Sequence, residues 1–398
     1  HNHLDAELKE RLLMLDDSRI IFSNFSPSDL DEWIIELDAN TLLDQACLYH
    51  LSVCIQTNPN VLIIYGDHDH INSSNEFVDP YFKPDWNADL FAAMNYMGPL
   101  IACEKKIWLS QREESSDQYD FLLNLTKDFS SEEIAHSVKI LATSKINDDN
   151  THLRPECKRV FQKLPEPEVK VSILIPTRDQ GNMLERCLKS IFDLTDYTNY
   201  EIVLVDHEST EPKALKVINN FGLKKNFQTI GFSGSFNFAA MMNSAAKTAK
   251  GEIFVLLNND TEIVDPGWLK ELVSQVLRPE VGIVGALLLF NDGTVQHAGV
   301  NPDPEGFMIH GHKHWSGENA GYFSRLLAVH EVAAVTGACL AIEKNTWNVL
   351  DGMDEENFSV AYNDIDLCLK ARHQGLKVIF SPYACLVHHE SVSRGFDE

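Results

Sequence analysis

Paired cysteines, basic side chains and long apolar runs are what this 398-residue sequence is short of, and each shortage excludes something. Its eight cysteines (Cys47, Cys54, Cys103, Cys157, Cys187, Cys339, Cys368, Cys385) fall at irregular spacings with no CxxC pair. That is thin for a disulfide framework and wrong for structural zinc, and it points to a reducing, cytoplasmic compartment. Lys and Arg number 33 against 59 Asp and Glu, for a formal net charge of −26. A phosphate backbone is bound mainly through Lys and Arg, so nucleic acid is excluded as a partner. An anionic substrate would need local positive charge or a metal. The longest apolar stretch, Val281 to Phe290, falls well short of the roughly 20 residues of a membrane span and reads as a buried strand. No basic amphipathic helix stands out, which leaves peripheral association at the inner face of the cell membrane as the membrane role still open. The sequence begins at His1, carries no secretion signal and stops soon after a motif, so it reads as a piece of a longer protein.

What is present suffices for a folded core. The chain is 44% hydrophobic and 23% charged, and its length suits two or three domains. The clearest patterning begins at Val171. Val171 to Pro176 is an apolar, β-branched run that ends in Thr177-Arg178-Asp179-Gln180-Gly181, and Met183, Leu184, Cys187, Leu188, Ile191 and Phe192 then recur at helical spacing. A second strand, Ile202 to Val205, ends at Asp206. Helical stretches follow around Leu215 and Ile218 and across Phe238 to Ala249. A further strand, Ile253 to Leu257, ends in Asn258-Asn259-Asp260. Strands alternating with helices, each strand ending in polar residues, indicate an α/β fold with a mostly parallel central sheet. Ligands bind beyond the carboxyl ends of such strands, so Thr177, Asp179, Asp206 and Asp260 should converge on one rim. Residues 146–168 are polar and carry three prolines, which marks a linker. The part before it also mixes strands (Val61 to Tyr65) with helical segments (Leu90 to Met94, Phe121 to Leu125).

Three motifs carry candidate chemistry. Asn258-Asn259-Asp260 at a strand end is either a turn, which suits its composition, or a loop whose carboxylate holds a hard divalent cation bridging a diphosphate. Asn363-Asp364-Ile365-Asp366 opens a helical run that stops at Gly375. Asn363 or Asp364 could simply be the N-cap, with Gly375 at C′, or Asp364 could be a general base kept ionised by the helix N-terminus. In Val387-His388-His389-Glu390-Ser391 adjacent histidines face opposite ways, so at most one would meet a metal; a structural histidine is the alternative. An imidazole, one Asp and phosphate oxygens would suit Mn2+ or Mg2+. His310-Gly-His312-Lys-His314 reads as a substrate-side loop first and a chelator second.

From about residue 170 onward the sequence resembles an inverting family 2 glycosyltransferase of the GT-A fold. The matching features come in family order: SILIPTRD, the strand ending at Asp206, FNFAAMMN, LNNDTE, TVQHAGV, AAVTGACLAI, GMDEENFSVAYNDIDLCLKARHQG and LVHHESVSRG. The resemblance runs to bacterial enzymes that build O-antigen, capsule and similar surface polysaccharides, often rhamnosyl-type transferases. It implies that Pro176, Thr177, Asp179 and Asp206 surround the nucleotide and that Asn237, Asn243, Asn258 and Asn259 lie on the donor side. Asp260 becomes the metal carboxylate of a DXD-type motif, with Asn258 in place of its first acid, and His388 the histidine that reaches the metal. Asp364 becomes the catalytic base. Thr336, Gly337, Asp366 and Trp315 fall on the acceptor side, although Trp315 could equally serve packing. The implied reaction moves a sugar from a nucleotide-diphosphate donor, a UDP- or dTDP-sugar, to a hydroxyl of a glycan or lipid-linked glycan.

Residues 1–145 resemble a second, partial or degenerate GT-A-like module ahead of the catalytic domain at 169–398. Leu37 to Leu42 stands for the family's LDxDD, Tyr65 to Ile71 for YSDEDKI, Pro80 to Trp86 for PYFKPDW, and Ser116 to Phe121 for SQDYDL. Asn40 replaces a metal carboxylate, Gln118 replaces the base, and His136 is expected at the metal-histidine position. The family's nucleotide-binding strand and helix would precede His1. Two other function classes remain: a nucleotidyltransferase, for which Pro176 to Gly181 offers only one arginine and one glycine, and a glycan-binding scaffold with decayed modules.

Overall fold

The computed structural model describes residues 32–38, 40–111, 118–146, 156–160 and 162–389. Residues 147–155 and 161 of the expected linker, Ser116, Asp117, Glu390 and Ser391 lie outside these. The chain divides into two compact units, 1–156 and 157–398.

The first unit contains β1 (Trp33–Leu37), β2 (Thr41–Leu43), α1 (Cys47–Thr57), β3 (Ile63–Ile71), β4 (Phe77–Tyr81), α2 (Ala88–Ala93), β5 (Leu100–Glu104), α3 (Lys105–Gln111), α4 (Gln118–Thr126) and β6 (Ile134–Lys145). Its six strands form one sheet in the order β1-β5-β3-β6-β2, with β4 beside β3. The sheet is mixed: β3 and β6 run parallel, and the other neighbours run antiparallel. Ile63, Ile64, Tyr65 and Ile101 of its central strands are buried, as apolar runs must be when both faces of a sheet are covered.

The second unit begins with the alternation expected of it: β7 (Val171–Thr177), α5 (Gly181–Leu194), β8 (Tyr200–Asp206), α6 (Pro212–Phe221), β9 (Phe227–Gly231), α7 (Phe238–Thr248) and β10 (Ile253–Leu257). Strands β10, β7, β8 and β9 lie side by side and parallel. Helix α5 buries Leu184, Cys187, Leu188 and Ile191 along one stripe, the periodicity visible in its sequence. Each such aliphatic side chain removed from water contributes roughly 1.5–3 kcal/mol.

Beyond β10 the chain forms β11 (Thr261–Ile263), α8 (Trp268–Val276), β12 (Val281–Leu289), β13 (Val295–His297), the hairpin β14 (Val300–Pro302) and β15 (Met308–His310), β16 (His330–Glu331), β17 (Cys339–Glu343), α9 (Lys344–Val349), α10 (Asn363–His373) and β18 (Lys377–His388). The ten-stranded sheet runs β11-β18-β12-β17-β10-β7-β8-β9, with β13 beside β12 and β16 beside β18. Strand β17 slips between β10 and β12 antiparallel to both. The parallel arrangement therefore belongs to the β10-β7-β8-β9 half, and the rest of the sheet is mixed. Helix α10 is preceded by Tyr362 in the left-handed region (φ +62°), which is its N-cap in place of Asn363 or Asp364. It closes at Gly375, whose φ of +78° is the conformation a C′ glycine adopts without steric cost.

Candidate active site

Strand ends, not a pocket dug into the core, assemble the candidate site of the second unit. Thr177 closes β7 and lies in register with Asp206, which closes β8. The Thr177 hydroxyl accepts a hydrogen bond from the Asn259 side-chain amide at 2.9 Å. This ties Pro176 and Thr177 to the loop after β10. Backbone bonds extend the rim: Asn258 N–H donates to the Ala338 carbonyl at 3.0 Å, and Thr261 N–H to the Asn258 carbonyl at 3.3 Å.

Asp260 sits on this rim, and His388 reaches it from the end of β18, the strand paired with β11 so that Thr261 opposes His388. The Asp260 Oδ1 to His388 Nε2 distance is 3.0 Å. Burial pushes the Asp260 carboxyl up, but the hydrogen bond and charge of His388, with the nearby His389, outweigh it and hold the group below the usual carboxylate range. The other ring nitrogen of His388, Nδ1, donates to Gln296 Oε1 at 2.6 Å. Asn258 Nδ2 lies 3.3 Å from His388 Nε2. His389 turns away: its Nε2 donates to Glu262 Oε2 at 2.8 Å, and Arg186 Nη1 approaches its Nδ1 at 3.3 Å.

Asp364 enters from the first turn of α10. Its Oδ2 accepts from Gly337 N–H at 2.8 Å and its Oδ1 from Ile365 N–H at 2.9 Å. One carboxylate oxygen is therefore tied to the turn before β17 and the other to the first turn of its own helix. Thr336, one residue before Gly337, donates its N–H to His297 Nε2 at 3.4 Å. His297 is buried at 1% exposure, and burial together with His310 and His388 pushes its basicity well below the ordinary histidine value.

The remaining expected residues divide. Asp179, left-handed at φ +55°, accepts from Thr210 N–H at 2.7 Å and Glu211 N–H at 2.8 Å. The Glu211 and Thr210 amides hold its carboxyl below the ordinary value and join the loops after β7 and β8. Asp206 Oδ1 accepts from Ser209 N–H at 3.2 Å. Asn237 caps α7 through Ala240 N–H and donates to the Glu355 carbonyl. Asn243 clamps both the N–H and the carbonyl of Met353. These two amides are committed to the 353–355 segment. Asp366 forms an i,i+4 ion pair with Lys370 at 2.8 Å. Trp315 is 43% exposed and meets His312 edge-on.

The histidines of the 310–314 loop do not converge. His310 Nδ1 lies 2.9 Å from His297 Nδ1, His312 Nε2 accepts from Tyr322 N–H at 3.0 Å, and His314 stacks on Phe290. Burial beside Arg325 pushes His312 down to about 4. Gln296 and His297 are site residues that sequence reading missed. TVQHAGV was visible as a motif, but Gln296 and His388 are too far apart in sequence for any local pattern to pair them.

The donor set at Asp260 and His388 fits a divalent cation. Two ligands at right angles on an octahedral ion, each about 2.1 Å away, lie about 3 Å apart, and a hard oxygen with an imidazole suits Mn2+ or Mg2+. Among the described residues no group of three or more His, Cys, Asp or Glu side chains is placed to hold a metal. Any such ion must therefore complete its shell from ligand oxygens and water.

Known proteins share stretches of this chain. The chain is 34% identical over 405 residues to the uncharacterized protein y4gI of Sinorhizobium fredii, covering 92% of this chain and 45% of that one. It is 31% identical over 398 residues to the O-antigen biosynthesis protein RfbC of Myxococcus xanthus, covering 91% of this chain and 31% of that one. The chain thus spans less than half the length of either relative. Among solved structures it resembles mannosyltransferase PcManGT from Pyrobaculum calidifontis, in complex with GDP-Man and Mn2+ (TM-score 0.44, 16% identity, 59% of this chain and 62% of that chain). The family model described as glycosyl transferase family 2 matches residues 172–324. Residues 172–324 are thus the part of the chain that carries the likeness to glycosyl transferase family 2.

Proposed function

We propose that the second unit moves a sugar from a UDP- or dTDP-sugar to a hydroxyl of a growing surface glycan, free or lipid-linked, as in O-antigen or capsule assembly. The observation that carries this reading is the 3.0 Å approach of Asp260 to His388 on the rim that also bears Asp364. A bound Mn2+ or Mg2+ at that pair would neutralise charge on the departing nucleoside diphosphate. Thr177, Asp206 and Asn259 line the nucleotide side of the rim.

Asp364 takes the proton of the acceptor hydroxyl as that oxygen attacks the anomeric carbon. Its two backbone hydrogen bonds fix the carboxylate's direction, and each oxygen keeps a second lone pair for the incoming proton. Attack and departure in line invert the configuration, with no covalent bond to the protein. Thr336 and Gly337, at the foot of β17, and Trp315 form the acceptor side.

For residues 1–145 we propose a degenerate or truncated GT-A-like module that holds glycan, orients the acceptor or mediates assembly. The strand order it shares with part of the second unit supports the module, not one of these roles over another. Among the described residues no helix is long and apolar enough to cross a membrane. We place the reaction in the cytoplasm, with the enzyme peripheral at the membrane's inner face where lipid-linked acceptors are presented.

Nucleotide release from a panel of UDP-, dTDP- and GDP-sugars with Mn2+ tests the reading. Release of pyrophosphate instead would indicate nucleotidyl transfer, and no release from any donor would leave a binding protein. Within an active preparation, Asp364→Asn should cut turnover by about 10²–10⁴-fold, the usual worth of a positioned base. Donor binding, followed by thermal shift, should stay unchanged. Substantial turnover in that variant removes Asp364 from the base role.

A further inference from the structure

Gln296 and His297 have no part in the reaction just described, yet both side chains are buried, at 5% and 1% exposure, and both end on groups of the site. They occupy adjacent positions on β13 and serve different neighbours. His297 bonds Thr336 N–H beside Gly337, whereas Gln296 Oε1 meets His388 Nδ1 at 2.6 Å. We propose that Gln296 is a positioning residue that fixes His388 as its Nδ1–H tautomer, so that the Nε2 lone pair is held ready beside Asp260 for a divalent cation. This rests on the reading of Asp260 and His388 as the cation site.

The argument is one of donors and acceptors. An amide oxygen only accepts, so the ring nitrogen facing Gln296 Oε1 must carry a proton. The Asn258 amide nitrogen, 3.3 Å from Nε2, can donate to a lone pair there once Nε2 is free of its proton. In the metal-free site Asp260 Oδ1, 3.0 Å away, draws a second proton to Nε2, which makes the ring an imidazolium that donates to both Gln296 and Asp260. A divalent cation takes the place of that Nε2 proton, while the Nδ1–H stays on Gln296 Oε1. With an apolar residue at 296, the ring proton could move to Nε2 and bond directly to Asp260. Both ligands would then be occupied by one hydrogen bond that a metal must first break. Partners that orient a ligating histidine typically change metal affinity by about 10–100-fold when removed.

The test uses the full chain, with Gln296→Leu and Gln296→Glu, and two readouts besides turnover. In metal-free protein labelled at histidine with 13C and 15N and raised in pH until the ring is neutral, the His388 signal, identified by its loss in His388→Ala, should report the Nδ1–H tautomer in the parent chain. It should also do so in Gln296→Glu, which keeps an acceptor oxygen, and switch to Nε2–H in Gln296→Leu. The Mn2+ dissociation constant, measured from free Mn2+ by electron paramagnetic resonance, should weaken about 10–100-fold in Gln296→Leu and only a few-fold in Gln296→Glu. An unchanged tautomer in Gln296→Leu overturns the proposal, whether or not affinity falls. So does an unchanged affinity. If leucine disturbs folding, Gln296→Met carries the same expectation in a similar volume. Mn2+ binding that ignores His388→Ala would sink the cation-site reading itself, while the metal-free tautomer still judges Gln296.

Discussion

Five strands of the first unit and five of the second are laid down in one order with one set of directions. Read from one edge, β1-β5-β3-β6-β2 corresponds to β10-β17-β12-β18-β11, and in both sets the third and fourth strands are parallel while the other neighbours are antiparallel. The registers agree as well. Ala102 faces Ile35 and Ile64, as Ala341 faces Val255 and Val284. Irregular backbone bonds repeat residue for residue: Asp38 to Pro99 as Asn258 to Ala338, Thr41 to Asp38 as Thr261 to Asn258, Lys145 to Asn40 as His389 to Asp260, and Lys105 to Glu32 as Lys344 to Glu252.

On that equivalence Asn40 stands where Asp260 stands, and Ser144 where His388 stands. Ser144 instead meets Thr41, the counterpart of Thr261, hydroxyl to hydroxyl at 3.0 Å, so an amide and a hydroxyl stand where the second unit has its carboxylate and imidazole. His136, expected at the metal-histidine position, is instead opposite Tyr65, stacked on it and bonded to Asp67 at 2.9 Å. The sheet keeps its order without the acidic and imidazole groups because ladder hydrogen bonds and buried aliphatics hold it. Scaffold and chemistry are separable here, and a few side chains mark the difference. The β7-β8-β9 part of the larger sheet has no counterpart among the described residues of the first unit.

Exchanging residues between the two units should break this comparison with the largest effect. Asp260→Asn, which installs the residue found at position 40, should lower nucleotide release about 10²–10³-fold, the several kcal/mol that charge stabilisation at a leaving group supplies. Asn40→Asp should leave the rate of the full chain unchanged, because Ser144 and Gln118 still lack an imidazole and a base. Equal effects in the two variants would mean that the first unit carries chemistry of its own.

Much of this was legible in the sequence where local physics dominates. The β-branched runs ending in Thr177, Asp206 and Asn258 are strands because apolar segments flanked by helices must be buried on both faces, whereas residue type alone left Asp260, Asp364 and His388 open to turn, cap and structural readings, and only the family resemblance assigned them roles. Register was not legible. Strand β6 shifts against β3 between Gly66 and His68, and His136 lies opposite Tyr65 while Ser144 takes the position that pairs with β2. Nor was the cap of α10, because Tyr362 adopts a left-handed conformation that composition does not announce. Gln296 required knowing that β13 lies beside β12 and β12 beside β18.

A smaller effect separates the units by pH. Burial pushes Lys83, whose ammonium position is bonded to the Gly66 carbonyl and at 2.5 Å to the Met97 carbonyl, down to about 7 from 10.5. Above about pH 7 the folded unit holds it neutral while the unfolded chain keeps its proton, so the unfolded state binds more protons. Stability therefore rises with pH, by up to about 1.4 kcal/mol per pH unit. Below pH 7 both states are protonated and the full cost of burial applies. Among the described residues no lysine of the second unit is buried. Hydrogen exchange of the full chain from about pH 7 to 8.5, corrected for intrinsic rates, should show β3 and β6 amides gaining protection while β7 and β8 amides do not. Lys83→Met should flatten the difference.

The smallest expected effect sits at one equivalent pair of glycines, Gly98 before β5 and Gly337 before β17. Gly98 has φ +76°, and a Cβ there would fall 2.9 Å from the His68 ring and 3.0 Å from Lys83 Nζ. Gly337 is different: a Cβ would meet Asp364 Cβ at 3.5 Å and Phe238 at 3.6 Å, ordinary contact distances. Its contribution to the site is a backbone N–H, which alanine retains. Gly98→Ala should therefore destabilise the first unit by about 1–3 kcal/mol, through left-handed strain and the displaced ring. Gly337→Ala should leave the second unit's melting unchanged, and the Asp364 hydrogen bond with it. If alanine at 337 destabilises as much as at 98, the two turns share a conformational demand and the match between units extends from the strands into the loops. If it does not, the loops diverged after the strands were set, and Gly337 owes its place to the space beside Asp364 rather than to backbone conformation.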